Sequence, residues 1–122
     1  MRDDPQQTVQ RFNDCINARD LVSLERLMTE NHAFVDSTNA MLRGKAAALA
    51  AWREFFQLFP DYQNVFERMT TDGTTVKIVG RSKCSDSRLE GPALWTATVE
   101  DGKVAEWRVH EDLPENRRRL GF

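Results

Sequence analysis

The period of the apolar residues changes near Pro60, and this change constrains the fold more than any other feature. Before Pro60, apart from a short strand-like segment, apolar residues recur at the three- and four-residue spacing of helices, and after it they alternate with polar residues as in strands. Pro60 marks the boundary because the residue before a proline is disfavoured in the α conformation. Helices followed by consecutive strands predict an α+β fold in which the helices cover one face of a sheet.

Three amphipathic helices are expected in the first half. The first begins at Asp4, whose carboxylate can cap it, and ends near Arg19. The second begins at Asp20 and carries an apolar stripe that runs to Met28. The third ends at Phe59. The first two are close enough in sequence to form a helical hairpin.

Four antiparallel strands are expected in the second half. Alternation of apolar and polar residues predicts them at residues 62–69, 74–83, 93–99 and 103–111. Asp72-Gly73 lies between the first two strands and Asp101-Gly102 between the last two. Asp-Gly pairs favour type I′ turns, whose twist matches that of the flanking strands. These turns predict a meander of neighbouring strands.

The length and charge of the chain narrow the classes of protein. Its 122 residues suit a single domain, here residues 1–122, and its net charge of -2 provides no basic surface for nucleic acid or an anionic membrane. No apolar run approaches the roughly 20 residues of a membrane span, and the first residues lack the apolar stretch of a signal peptide. Two cysteines are too few for a disulfide framework. We therefore expect a cytoplasmic protein, with no metal site and no cofactor.

Three landmarks together resemble the SnoaL-like branch of the nuclear transport factor 2-like superfamily. They are Gly44 opening a helix that ends in Phe59-Pro60-Asp61, the hairpin from Val99 to Trp107, and the ending Asp112-Leu113 followed by Leu120-Gly121. The order of elements also fits the related ketosteroid isomerases and limonene epoxide hydrolases. The resemblance implies a cone, in which a curved antiparallel sheet wraps around the N-terminal helices and leaves a pocket for a small apolar ligand. It also implies a homodimer formed through the outer face of the sheet.

Aromatic residues are the expected walls of this pocket. Strand alternation turns Trp95 toward the core, and the register of the resemblance turns Trp107 the same way. On the helices the expected wall residues are Phe12, Trp52 and Phe56. Large aromatic side chains also make ordinary core contacts, so both interpretations stay open.

Two carboxylates are candidate catalytic groups. Asp36 ends a short strand expected at residues 32–36, just before a polar loop at residues 37–44, and relatives of this fold place their catalytic base near that point. Its alternative role is to start the turn through hydrogen bonds to its own backbone. Glu111 faces inward in the register of the resemblance, where burial would raise its pKa. Its alternative position is a solvated rim.

The sequence departs from the catalytic patterns of the related enzymes. The tyrosine and aspartate of the ketosteroid isomerase oxyanion hole fall on Phe12 and Trp95, and the acid–base aspartate of the polyketide cyclases falls on Val109. The arginine that an epoxide hydrolase needs would be Arg81, which alternation turns outward. Two functions remain open. One is acid–base isomerase- or cyclase-type chemistry on a carbonyl compound, and the other is a catalytically silent ligand-binding or protein-interaction module.

Overall fold

The computed structural model describes residues 4–122 and confirms the α+β architecture. Six strands form one curved, unclosed sheet in the order β2-β1-β6-β5-β4-β3. The helices are α1 (Pro5–Ala18), α2 (Leu21–Arg26), α3 (Lys45–Leu58) and α4 (Pro114–Leu120). The strands are β1 (Met28–Val35), β2 (Met41–Arg43), β3 (Gln63–Asp72), β4 (Thr75–Lys83), β5 (Gly91–Glu100) and β6 (Lys103–Glu111). Within residues 4–122, no helix has the length and apolar character needed to cross a membrane.

The first two helices begin as their capping residues predict. Asp4 accepts a hydrogen bond from the backbone N–H of Gln6 at 2.9 Å, and Asp20 accepts one from Ser23 at 3.1 Å. Arg19 ends α1 in the left-handed conformation with φ of 56°. This reversal turns the chain directly into α2 and forms the hairpin.

Two local assignments in the first half differ from expectation. Met28 belongs to β1 rather than to α2, because its backbone pairs with Val104 of β6 in a parallel ladder. The loop after β1 contains the short strand β2, which pairs antiparallel with β1 and is exposed at all three positions. An edge strand without a buried side leaves no alternation to detect.

The meander is confirmed, with one shifted turn. Asp101 and Gly102 both have positive φ, as a type I′ turn requires. At the other hairpin Asp72 pairs with Thr75, so the turn residues are Gly73 and Thr74, and only Gly73 has positive φ. Apart from the parallel pairing of β1 with β6, the strand pairs of the sheet are antiparallel.

The two faces of the sheet carry different cores. On the inner face α1 and α3 pack against the sheet around a large cluster that includes Phe12, Trp95 and Trp107. On the outer face a small cluster forms where α4 packs Leu120 against Val79 and Leu94. The C-terminal helix therefore covers part of the surface where a dimer contact is expected.

Candidate functional site

A cavity of about 310 Å³ lies between α3 and the inner face of the sheet. Its walls are predominantly aromatic and aliphatic, with a few polar groups. The lining residues are Phe34, Asp36, Ser37, Ala48, Ala51, Trp52, Phe55, Tyr62, Leu89, Trp95, Trp107 and Val109. The volume and the apolar lining suit a small organic molecule.

Three of the five expected wall residues line the cavity. These are Trp52, Trp95 and Trp107, which are all the tryptophans of the chain. The structure places the other two, Phe12 and Phe56, in the packing behind the wall. The Phe12 ring lies 4.8 Å from the Trp107 ring, and the Phe56 ring lies 5.5 Å from the Trp52 ring. Both therefore support wall residues from behind.

Other aromatic side chains complete the wall. Phe55 follows the same face of α3 as Trp52, three residues on, and their rings meet edge to face at 5.7 Å. Phe34 on β1 meets Trp52 in the same geometry and at the same distance. Tyr62 meets Phe55 at 4.8 Å. Residues 55 and 56 both lie within one helical turn of residue 52, at i+3 and i+4, so spacing alone does not single out Phe55.

Asp36 makes the turn hydrogen bonds that the sequence left as one of its two interpretations, and it also lies at the cavity. Asp36 is one of the lining residues, and its Oδ1 atom accepts bonds from Thr38 N at 2.9 Å, Thr38 Oγ1 at 2.6 Å and Ala40 N at 3.0 Å. The Thr38 hydroxyl is the main cause that lowers the pKa of Asp36, and the backbone N–H groups of Ala40 and Thr38 lower it further. None of these bonds involves Oδ2. The turn thus favours the ionised carboxylate and anchors it through Oδ1.

Glu111 lies outside this cavity. It is exposed at the end of β6 and lines a neighbouring polar groove rather than the aromatic wall. Its backbone carbonyl accepts a hydrogen bond from the Asn116 side chain at 2.8 Å. This position corresponds to the solvated rim that the sequence left as the alternative for Glu111.

A buried polar network stands behind the Tyr62 side of the cavity. The Tyr62 hydroxyl lies 3.1 Å from Ser82 Oγ, and Ser82 Oγ donates to Asn64 Oδ1 at 2.9 Å. Asn13 and Asn17 on α1 donate to the Asn64 carbonyl at 3.1 and 2.9 Å. Burial raises the pKa of Tyr62, so its phenol is neutral at physiological pH. Sequence reasoning did not find this network, because its members are far apart in the chain.

Two positions that the sequence comparison linked to catalysis in related enzymes hold no titratable group inside this cavity. Val109 lines the cavity as an apolar residue, and Arg81 is exposed on β4 and is not among the lining residues. Within the described part of the chain, no group of three or more His, Cys, Asp and Glu side chains is arranged to hold a metal ion. Among the residues that line the cavity, Asp36 and Tyr62 are the ones with a titratable side chain.

A curved, mostly antiparallel sheet around helices, with an aromatic cavity between α3 and the sheet, defines an α+β fold of the nuclear transport factor 2-like type. A SnoaL-like domain matches residues 9–107, and the chain belongs to the SnoaL-like family. A comparison with curated proteins finds no match.

Solved structures of low sequence identity share the fold. A proposed polyketide cyclase from Sinorhizobium meliloti is 17% identical, with a TM-score of 0.78 over 85% of this chain and 94% of that one. A nuclear transport factor 2-like protein of unknown function from Cytophaga hutchinsonii is 15% identical, with a TM-score of 0.76 over 100% and 98%. An epoxide hydrolase of the limonene epoxide hydrolase-like type from M. tuberculosis is 15% identical, with a TM-score of 0.77 over 95% and 88%. These similarities describe the fold, and the activity has to be argued from the cavity.

Proposed function

We propose that the cavity binds a small, largely apolar carbonyl compound and that Asp36 acts on it as an acid–base group. The observation that carries this proposal is the position of Asp36, whose carboxylate is anchored through bonds to Oδ1, on a largely apolar wall. The aromatic rings would hold the apolar part of the compound through contact area and edge-to-face packing. The Asp36 carboxylate would then lie next to the carbonyl end of the compound.

The chemistry that fits this arrangement is proton transfer at a carbon next to a carbonyl group. Asp36 takes a proton from that carbon, the C–H electron pair forms a carbon–carbon double bond, and the π pair of the carbonyl moves to its oxygen. The enolate then either takes the proton back from Asp36 or attacks a second carbonyl, whose oxygen receives that proton. The lowered pKa of Asp36 makes it a weak base. A weak base works best on an acidic carbon acid, and a CH group between two carbonyls is such a group. Compounds with alternating carbonyls are also what the name of the Sinorhizobium relative suggests for that protein.

Intrinsic fluorescence provides a direct test of binding. Because all three tryptophans line the cavity, a compound that enters it should change their emission. We expect ethyl benzoylacetate, an aromatic β-keto ester, to change the emission in a saturable manner and to raise the melting temperature. An unchanged emission up to the solubility limit would remove the cavity from consideration as its binding site.

Deuterium exchange tests the chemistry separately. The same compound should lose its α-protons in D₂O faster with the protein than in buffer alone. Asp36→Asn should abolish this acceleration and keep the fluorescence response, because an amide oxygen can still accept the bonds from Thr38 and Ala40. Glu111→Gln is the matched control, since Glu111 lies outside the cavity, and it should exchange at the wild-type rate. Equal exchange in wild type and Asp36→Asn would show that Asp36 is not the base.

We also propose a homodimer and a cytoplasmic location. The dimer would use the part of the outer sheet face that α4 leaves open, in keeping with the family resemblance. A cytoplasmic location is consistent with Cys15 and Cys84, which are both unpaired thiols. Sedimentation at micromolar concentration should yield twice the mass of one chain, and cell fractionation should place the protein in the cytosol.

A further inference from the structure

A polar groove adjoins the mouth of the aromatic cavity. It lies between the loop after β1, the end of β6 and α4, and it shares Asp36, Ser37 and Val109 with the cavity. The remaining lining residues are Asn39, Arg108, His110, Glu111, Leu113, Asn116 and Arg119. A molecule that fills the cavity can therefore extend into the groove past Asp36.

The topology of the sheet explains why the groove is open. The pairing of β1 with β6 reaches only as far as Val35 and Arg108. Residues 109–111 of β6 continue beyond the end of β1, and α4 folds back beside them. The space that a longer β1 would occupy is left as a depression between the loop and the helix.

The two arginines of the groove differ in how their charges are satisfied. Arg108 pairs with Glu106 at 3.3 Å and donates to Asn39 Oδ1 at 2.7 Å. The Nη2 atom of Arg119 contacts two neutral groups, Asn116 Oδ1 at 3.0 Å and His110 Nδ1 at 3.3 Å. Among the ion pairs of residues 4–122, none involves Arg119. Its guanidinium is therefore a charge without a counter-ion, and Nε and Nη1 remain available as donors.

His110 adds no compensating negative charge and stays neutral. Because a guanidinium can only donate, His110 Nδ1 must accept from Arg119, which places the ring proton on Nε2, where it is donated to Thr96 Oγ1 at 3.0 Å. Burial is the largest cause that lowers the pKa of His110, followed by the charges of Arg119 and Arg108, and Glu106 opposes them. The neutral ring fixes the position of Arg119 without satisfying its charge.

We propose that the ligand is an amphiphile, with an apolar part in the aromatic cavity and a carboxylate in the groove bound by Arg119. This inference rests on the proposed binding of a small apolar molecule in the cavity and adds the class of its polar end. A carboxylate accepts charge-assisted hydrogen bonds from a guanidinium, and since Nη2 of Arg119 is engaged with Asn116 and His110, the donors open to it are Nε and Nη1. Because Asp36 and Glu111 also line the groove, the carboxylate lies on the α4 side, against Arg119 and the Asn116 amide.

A pair of probes that differ only in charge tests this proposal on the full chain. Phenylhexanoate carries a carboxylate at the end of a flexible chain, and phenylhexanol carries a neutral hydroxyl in its place. Tryptophan emission measures the affinity of both. We expect phenylhexanoate to bind more tightly than the alcohol, and Arg119→Gln to weaken it about tenfold, the effect of losing one charge-assisted hydrogen bond. The affinity of the alcohol should stay unchanged in this variant.

Arg118→Gln is the matched control, because Arg118 is the neighbouring exposed arginine of α4 and is absent from the groove lining. It should bind both probes as the wild type does. The His110 ring signals in NMR should shift with phenylhexanoate and not with phenylhexanol, which locates the carboxylate. Equal affinities for the two probes, or equal losses in both arginine variants, would overturn the carboxylate site and leave the cavity proposal intact. Failure of both probes to change the emission would overturn both proposals.

Discussion

The hydroxyl of Thr38 donates to Asp36 Oδ1 at 2.6 Å, and the backbone N–H of the same residue donates to the same oxygen at 2.9 Å. One residue thus supplies two of the three bonds that orient the carboxylate at the cavity. Both bonds favour the charged form of Asp36, so Thr38 controls the basicity of this carboxylate as well as its position.

Thr38→Val removes the hydroxyl and keeps the shape and the backbone bond. We expect the pKa of Asp36 to rise toward its ordinary value, because the largest cause of its lowered pKa is lost. A carbon-detected NMR titration of the Asp36 carboxyl measures this directly. Thr70→Val, at an exposed position of β3, is the control and should leave the Asp36 titration unchanged. An unaltered titration in Thr38→Val would show that the backbone bonds alone set the pKa.

His32 should make the fold less stable in mild acid. Its ring is fully buried, its Nδ1 lies 2.7 Å from the Val104 carbonyl, and its Nε2 has no partner. A carbonyl can only accept, so Nδ1 carries a proton, and a second proton on the buried, unpartnered Nε2 is disfavoured by desolvation. Desolvation is the main cause that lowers its pKa below 6.5, and the bond to Val104 opposes this shift. The unfolded chain therefore binds more protons as the pH falls below about 6.5, and the free energy of unfolding decreases.

Urea unfolding measures this loss of unfolding free energy. We compare about pH 7.5 with about pH 5, which lie on either side of the ordinary histidine pKa of about 6.5. His32→Gln should show a smaller loss between the two pH values than the wild type. His110→Gln is the natural comparison, because the chain has two histidines and His110 is only partly buried. We expect the larger effect from His32. A steeper pH dependence in His32→Gln than in the wild type would contradict the neutral buried ring.

Periodicity predicted the elements that bury one face, and these are the elements that the structure confirms. The helices α1 and α3 and the four strands of the meander each carry an apolar stripe that identifies them. The strand β2 carries none, and its exposed Met41 and Leu42 belong to the sheet only through backbone bonds to β1. The parallel pairing of β1 with β6 joins residues about seventy positions apart, and such a partner choice leaves no local pattern.

In the site too, residues on a patterned strand were predictable from the sequence, and contacts between distant elements were not. Alternation and the family register found Trp95 and Trp107, since each strand has only two faces. On α3 the adjacent rings Phe55 and Phe56 both suit an apolar stripe, and only the packing shows that Phe55 reaches the cavity. The contact of Arg119 with His110 depends on how α4 folds back onto β6. Neither residue type nor spacing encodes that contact.

Gly80 on β4 has no room for a side chain on the side of β3. It pairs with Phe66, next to the bulge in β3, and a Cβ at this position would overlap the carbonyl oxygen of Val65. Gly80→Ala should therefore lower the free energy of unfolding by about 1–3 kcal/mol, the usual cost of overpacking. Gly73→Ala is the comparison, because Gly73 has positive φ but open space around it, and it should cost only about 1 kcal/mol. Chemical denaturation measures both, and a Gly80→Ala protein as stable as wild type would show that β3 shifts to make room.

The side-chain amide of Asn17 makes both hydrogen bonds that a neighbouring strand would make to Asn64 at the edge of the sheet. Its Nδ2 donates to the Asn64 carbonyl at 2.9 Å, and its Oδ1 accepts from the Asn64 backbone N–H at 2.9 Å. These are the two bonds that a neighbouring strand would make, and β3 is an edge strand with no such neighbour on that side. The amide therefore joins α1 to the sheet and satisfies backbone groups that the helix covers.

Asn17→Ala should lower the free energy of unfolding by about 1–3 kcal/mol, because it leaves the Asn64 N–H covered and unpaired. Asn17→Asp keeps an acceptor for this N–H but removes the donor to the carbonyl, so one of the two bonds is lost and a carboxylate faces the carbonyl oxygen. We expect it to be destabilised as well, and more so at pH 7 than at pH 3, where a protonated carboxyl can donate again. Asn31→Ala, at an exposed position of β1, is the control and should change stability by less than about 0.5 kcal/mol. If Asn17→Ala were as stable as this control, water would have to replace the amide at the edge of β3.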